Sequence, residues 1–354
     1  MDALYLLLLF PIAWPFVAKR IWSRDISWRE MGLNVGIVVL AVVALWAGGR
    51  SIMAYDVEIW NGQVTSKAQV WVFCEHSYEC NCKEVCSGSG KDRTCSKQCE
   101  TCHEHFNDWD WRVRTDIGDF TVSRIDSRGS FEPPRWTAVR PGQPVAFEHS
   151  FTNYIKAAPD SLFNKKGSTM GQYEKLLPKY PSVYDYHYAD RVIPVGVTVA
   201  DLKEWNTRLA LSLRDLGPKK QANVIIVLAS ISGEEYSHAL EEHWLGGKKN
   251  DIVVVLGVPE YPAIAWARVV SWTDKEIFKV ALRDALLDLK VLDAGKVVAT
   301  IERHVTESFV RKPMEDFKYL WHDVRPPTWL LAIIFVISIA GSVGLTFVFR
   351  QSEI

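Results

Sequence analysis

Seven cysteines, Cys74, Cys80, Cys82, Cys86, Cys95, Cys99 and Cys102, all fall in one short span of this 354-residue chain. Around them stand Gly88, Gly90, Lys91 and Asp92 with many Ser and Thr, so the span has almost no apolar residues with which to build a core. Such a segment needs covalent or metal staples. Three chemistries fit these residue types. On an oxidising side of a membrane the expected staple is the disulfide, at least two of them, with the odd cysteine free or bridging two subunits. Zinc is the alternative. Cys99 and Cys102 form a CxxC with His103 and His105 directly after it and His76 nearby, and a borderline metal takes thiolates and imidazoles at such short spacings. A CxxC can also be redox-active, which is the third option.

Other groups with chemical potential are sparser. Glu235, His238 and Glu242 fall at helical spacing among Glu234, Glu241 and His243, a pattern that imitates a metal face but more often marks a solvated acidic surface. Asp251 is a metal candidate, and with Asp274 it could meet at the strand ends of an α/β sheet, where ligands bind; turn formation is the plainer role for both. Trp109, Trp111, Tyr180, Tyr184, Tyr186 and Tyr188 make the β region rich in aromatics, as a ligand platform or as half-buried packing. The chain has no P-loop, G-x-S-x-G, H-E-x-x-H or dinucleotide fingerprint, and no catalytic residue is assigned.

The elements that would position these groups begin in lipid. Ala3–Ala18, Met31–Gly49 and Pro326–Phe349 carry no charge, and the last is long enough to cross a bilayer with room to tilt. The first is short and holds Pro11 and Pro15, so it either spans or lies re-entrant. The loop between the first two runs holds Lys19, Arg20, Arg24 and Arg29, which the positive-inside bias assigns to the cytoplasm. Arg50–Arg325 is then extracytoplasmic and residues 350–354 form a cytoplasmic tail. Gly32 and Gly36 in one helix, and Ala340 and Gly344 in the last, are small residues four apart that let helix backbones approach. They suit self-association or packing within the chain. Residues 1–49 carry four basic and three acidic side chains and residues 328–354 carry one of each, which leaves about −2 on the part between. Such a balance gives no footprint for nucleic acid.

Residues 50–190 are predicted as β-rich: QVWVF, DWDWRVRT and DFTVSRI alternate with period two, and the cysteine span 74–102 is an insertion between the first two. Asn153–Asp190 has no clear period and is predicted as a long connection. From Val192 to about residue 325, strands alternate with helices. LKEWNTRLALSLRDL is a helix stopped by Gly217 and Pro218, NVIIVLA and DIVVVLGV are buried strands, and GEEYSHALEEHWL is a helix closed by Gly246 and Gly247. AWARVVSW is a third strand, and Thr273 with Glu276 predicts a capping box opening a helix to about Leu292. A last helical stretch, Gly295 to Asp323, is broken at Pro313. The class is membrane-anchored α+β, with a layered α/β unit and two or three transmembrane helices.

The order of elements over Val192–Leu292, with Trp244, Gly246, Gly247, Lys248, Lys249, Asn250 and Asp251 before an apolar strand, resembles the TPM-domain family of membrane-anchored proteins of periplasm or thylakoid lumen. That resemblance implies an extracytoplasmic domain on an inner membrane and, in members with a Gly-Tyr-Gly corner near acidic residues, metal binding or phosphatase activity. Here Arg268–Asp274, RVVSWTD, stands where that corner would be. The N-terminal β region resembles membrane proteins of unassigned function in phage and bacterial genomes. The expectation is a homo-oligomeric scaffold or adaptor without catalysis, its partners being lipid, further copies of itself or another membrane protein; the alternative is a TPM-type phosphatase or metal-dependent hydrolase.

Overall fold

The computed structural model describes residues 3–87, 94–158, 169–185 and 187–351. Residues 88–93 of the cysteine span, Tyr186 and the residues after Gln351 lie outside the described residues. Two helices open the chain, α1 (Ala3–Ile21) and α2 (Trp28–Ala54), and one long helix closes the described part. Ser27 caps α2 through a capping box with Glu30. The first run forms an uninterrupted helix despite its two prolines: Pro11 and Pro15 are buried against the neighbouring helices. That packing holds α1 where its own length would not.

The β-rich region follows α2 without a loop. Strand β1 (Tyr55–Phe73) is 19 residues long, and its first half pairs with β6 while its second half pairs with β4, both antiparallel. Between them lie β2 (Ser77–Ser87), β3 (Thr94–His103), β4 (Asn107–Thr115), β5 (Phe120–Val122), the short helix α3 (Pro134–Ala138) and β6 (Pro144–Thr152). The sheet order is β5-β4-β1-β6, and β2 with β3 form a separate antiparallel hairpin. Val64, Trp111, Val113, Val122, Val139 and Val145 form this region's core. Two short helices, α4 (Tyr154–Ala157) and α5 (Thr169–Tyr173), fall within the predicted connection.

The α/β unit runs β7 (Val192–Val195), α6 (Leu202–Lys220), β8 (Asn223–Ala229), α7 (Glu235–His243), β9 (Asp251–Gly257), β10 (Trp266–Ser271), α8 (Ile277–Asp288) and α9 (Ala294–Ser308). The sheet order is β10-β9-β8-β7, with β7, β8 and β9 parallel and β10 antiparallel to β9. Every residue of β8 and β9 is buried, as their continuous apolar runs require. One sheet face carries α6, α8 and α9 around Leu209, Phe278, Leu282, Ile301 and Val305; the other carries α7 through Tyr236 and Leu240.

Three expectations are corrected here. Helix α6 does not stop at Gly217 and Pro218 but continues to Lys220: Pro218, which lacks an N–H and crowds the carbonyl four residues back, falls in the last turn, and Gln221 closes the helix in the left-handed region. Thr273 does not cap α8: its hydroxyl donates to the Val310 carbonyl and accepts from the Lys275 N–H, and Glu276 precedes the helix without a side-chain cap. Helix α8 ends at Asp288, short of Leu292.

A ten-residue 3-10 segment, Met314–Asp323, leads to α10 (Thr328–Gln351). Three helices, α1, α2 and α10, are long and apolar enough to cross a membrane. They pack on one another around Leu7, Val38, Val42 and Ile334. Polar bonds tie them: Asn34 Nδ2 donates to the Ser342 carbonyl (3.0 Å) and to Thr346 Oγ1 (3.1 Å), and Ser338 Oγ donates to the Leu7 carbonyl (3.0 Å). Arg350 pairs with Asp25 at 3.4 Å, so the α1–α2 loop and the end of α10 share one end of the bundle. At the other end the guanidinium of Arg50 lies between the rings of Trp46 and Trp321.

Candidate functional site

The hairpin β2–β3 carries three disulfides, Cys80–Cys102, Cys82–Cys99 and Cys86–Cys95. Cys86 and Cys95 face each other in register. Between Cys80 and Lys83 the register shifts, with Asn81 at positive φ. This bulge brings Cys82 to Cys99. The CxxC of Cys99 and Cys102 therefore bonds to two different partners and offers no thiolate. Cys74 is the free cysteine, and it is buried at 4% exposure, which denies it a bridge to another subunit.

Cys74 stands at the neck where the four-stranded sheet gives way to the hairpin. Phe73 of β1 pairs with Asn107 and Val72 with Asp108, while Ser77 of β2 pairs with His103. The crossing segments are held by the Glu104 N–H donating to the His76 carbonyl at 3.0 Å. This geometry gathers Cys74, His76, His105 and Asp108, whose ligand atoms all lie within 4.8 Å of one another. Cys74 Sγ is 3.8 Å from Nδ1 of both His76 and His105. Asp108 Oδ2 lies 3.4 Å from His76 Nδ1, and Oδ1 lies 3.5 Å from His105 Nδ1. Arg124 donates to Asp108 Oδ2 at 3.0 Å and to Asp110 Oδ1, and the Glu75 N–H also reaches Oδ2. Burial alone would raise the Asp108 carboxyl, but the Glu75 N–H, Arg124 and His76 outweigh it and hold it below the usual carboxylate range. Of the sequence candidates, Cys74, His76 and His105 meet here. His103 is exposed on β3 outside the cluster, and Asp251 is in the other domain. Asp108 was not anticipated, since only the β1–β4 register brings it to the neck.

Asp251 opens β9 beside Asn223, which opens β8. It is fully enclosed, with Tyr180 donating at 2.9 and 3.0 Å, Asn223 Nδ2 at 2.9 Å and the Lys248 N–H at 2.7 Å. Burial pushes its carboxyl up to about 6 against these donors. Gly246 and Gly247, at φ +78° and +77°, make the corner. The basic residues after them face the β-rich region: Lys248 pairs with Asp56, Lys249 with Glu58 at 3.3 Å, and Asn250 Nδ2 donates to the Ile59 carbonyl at 2.8 Å. Arg191, also buried, donates to Asn223 Oδ1 at 2.8 Å and to Asn61 Oδ1. The cluster thus joins β1 to the amino ends of the parallel strands. Ligands of open α/β sheets bind at the carboxyl ends. There the Trp266 indole lies over Gly257, where an added Cβ would meet it at 2.0 Å, and its N–H donates to the Ile231 carbonyl.

The remaining candidates are dispersed. Asp274 is exposed, its N–H bonded to the Val310 carbonyl. On α7, Glu241 and His238 contact Arg268 instead of gathering with Glu235 and Glu242. Trp111 packs on Trp136, and Tyr180 on Trp244, so the described aromatics do not form one platform. In a cleft of about 740 Å³ beside Tyr184, His187 and Tyr188, several polar groups bond to one another: His187 Nδ1 donates to the Ala146 carbonyl, Tyr184 to Asp190 and Gln143 to Tyr188.

No family model, curated protein or solved structure matches this chain.

Proposed function

We propose that the protein is a scaffold or adaptor of the inner (cytoplasmic) membrane, non-catalytic and homo-oligomeric, with residues 50–325 outside the cytoplasm. The observation that carries this reading is the condition of Asp251. The one strongly perturbed carboxyl of the α/β unit is enclosed by three donors, Tyr180, Asn223 and the Lys248 N–H, is 1% exposed, and serves as a joint between layers. The TPM likeness then concerns the fold, its site having given way to RVVSWTD; function resides in sites grafted on folds. Three disulfides suit an oxidising compartment. The membrane bundle also leaves small residues outward: a Cβ at Gly32, Gly36 or Gly344 would meet nothing within 4 Å, and Ala340 is exposed. These faces suit a second copy or another membrane protein, while Ser338 and Ser342 are used within the chain.

Light scattering on the detergent-purified protein tests this. A mass of several 40.3 kDa chains is expected, with no phosphatase turnover in Mg²⁺, Ca²⁺ or Mn²⁺. A monomer, or metal-dependent hydrolysis lost in Asp251→Ala, would favour the TPM-type hydrolase instead.

A further inference from the structure

We infer that Cys74 Sγ, the Nδ1 atoms of His76 and His105, and a carboxylate oxygen of Asp108 form a four-coordinate Zn²⁺ site that clamps the neck of the disulfide hairpin. Zinc bound by one thiolate, two imidazoles and a carboxylate has ligand distances of about 2.0 to 2.3 Å, which on a tetrahedron set the ligand atoms about 3.3 to 3.6 Å apart. The distances here, 3.5 Å from His105 Nδ1 to Asp108 Oδ1 and 3.8 Å from sulfur to each nitrogen, approach those edges, and one ligand atom from each of the four residues lies within 4.8 Å of the others; His76 Nδ1 is 3.4 Å from the second oxygen, Oδ2. His76 and His105 are partly exposed, so small rotations of their rings complete the shell.

A second observation points to a missing ligand. Asp108 is fully buried, and its Oδ1 has no hydrogen-bond partner, while Oδ2 is held by Arg124 and the Glu75 N–H. A buried carboxylate with one oxygen fixed and the other unmet is what a metal ligand with an orienting shell looks like. A buried free cysteine more often acts as a small hydrophobe. Cys74 is surrounded differently, by two imidazoles and a carboxylate.

Binding releases the Cys74 thiol proton to solvent as the sulfur–zinc bond forms. The thiolate and the Asp108 carboxylate then cancel the ion's two charges, and Arg124 remains balanced by Asp110. With four protein ligands the ion keeps no open position, so the site is structural. It also shields the one unpaired thiol of the chain from oxidation. This inference stands apart from the scaffold reading and would hold equally for an enzyme.

The test uses the full-length protein in detergent, purified without reductant so that the disulfides persist. Metal analysis after dialysis and zinc reconstitution should give one zinc per chain, and Co²⁺ substitution should give a tetrahedral spectrum with a thiolate charge-transfer band. Cys74→Ser and Asp108→Asn should lose both. His103→Gln, outside the cluster, should keep both, and zinc should raise the melting temperature of the wild type but not of Cys74→Ser. Zinc no higher than the buffer blank in reconstituted wild type, or full occupancy persisting in Cys74→Ser, would overturn the site.

Discussion

Gly217 rests directly on the carbonyl of Asn61: a Cβ at residue 217 would lie 2.0 Å from that oxygen. The contact brings α6 against β1, so the α/β unit and the β-rich region are joined backbone to backbone. Alanine is the better helix former by about 1 kcal/mol. At this position the clash outweighs that gain. Gly217→Ala should destabilise the protein by about 1 to 3 kcal/mol, as overpacked sites do. Thermal melting of the detergent-solubilised protein checks it, and a raised melting temperature would contradict the contact.

Asp251 should give stability a particular pH dependence. Its folded pKa, about 6, lies above the ordinary 3.8, so the folded state holds the proton more tightly. The contribution is fully present below about pH 4 and is lost as pH rises through about 6, on the order of 3 kcal/mol in all at 1.36 kcal/mol per unit. Denaturant titrations from pH 4 to 7 on wild type and Asp251→Asn should therefore differ by a slope in that window. Parallel curves would show that Asp251 does not carry the linkage.

The hairpin should yield three disulfide-linked peptide pairs by non-reducing mass spectrometry, with Cys74 alkylated only after denaturation. Replacing Cys80 and Cys102 together should cost about 2 to 5 kcal/mol of local order. Limited proteolysis would then cut within Ser77–His103 while the four-stranded sheet stays intact. Equal protection of the variant would argue against a stapling role.

Membrane orientation can be read with single cysteines added at Ser23 and Lys275, since the native thiols are paired or buried. An impermeant maleimide should label Lys275→Cys on intact cells and Ser23→Cys only after permeabilisation. Labelling of both from outside would reverse the positive-inside reading.

Local pattern made much of the fold legible. The continuous apolar runs of β8 and β9, the period of α6 and the glycines after α7 each carry their signal within a few residues. Contacts set at a distance were not legible. Pro218 looks like a stop, yet α6 passes through it in its last turn. Thr273 and Glu276 have capping spacing, but tertiary bonding to Val310 takes the hydroxyl. Strand β6 lacks strict alternation and gains its place by pairing with β1. At the neck, His76 and His105 were visible beside the cysteines, whereas Asp108 joins them through strand register, and the pairing of Cys99 and Cys102 depends on a bulge at Asn81.

Helix α2 ends at Ala54 and β1 begins at Tyr55, so no loop separates this long apolar helix from the sheet. At about 1.5 Å per helical residue and 3.3 Å per strand residue, this one stretch of backbone measures roughly 100 Å in contour. It is clamped along its length, by α1 and α10 in the bundle, then by β6, then by β4. Give is confined to the helix-to-strand join and the register shift at Val64–Ser66. Kinematically the chain is a pushrod with two joints: a tilt or rotation of α2 reaches the hairpin less whatever those two points absorb.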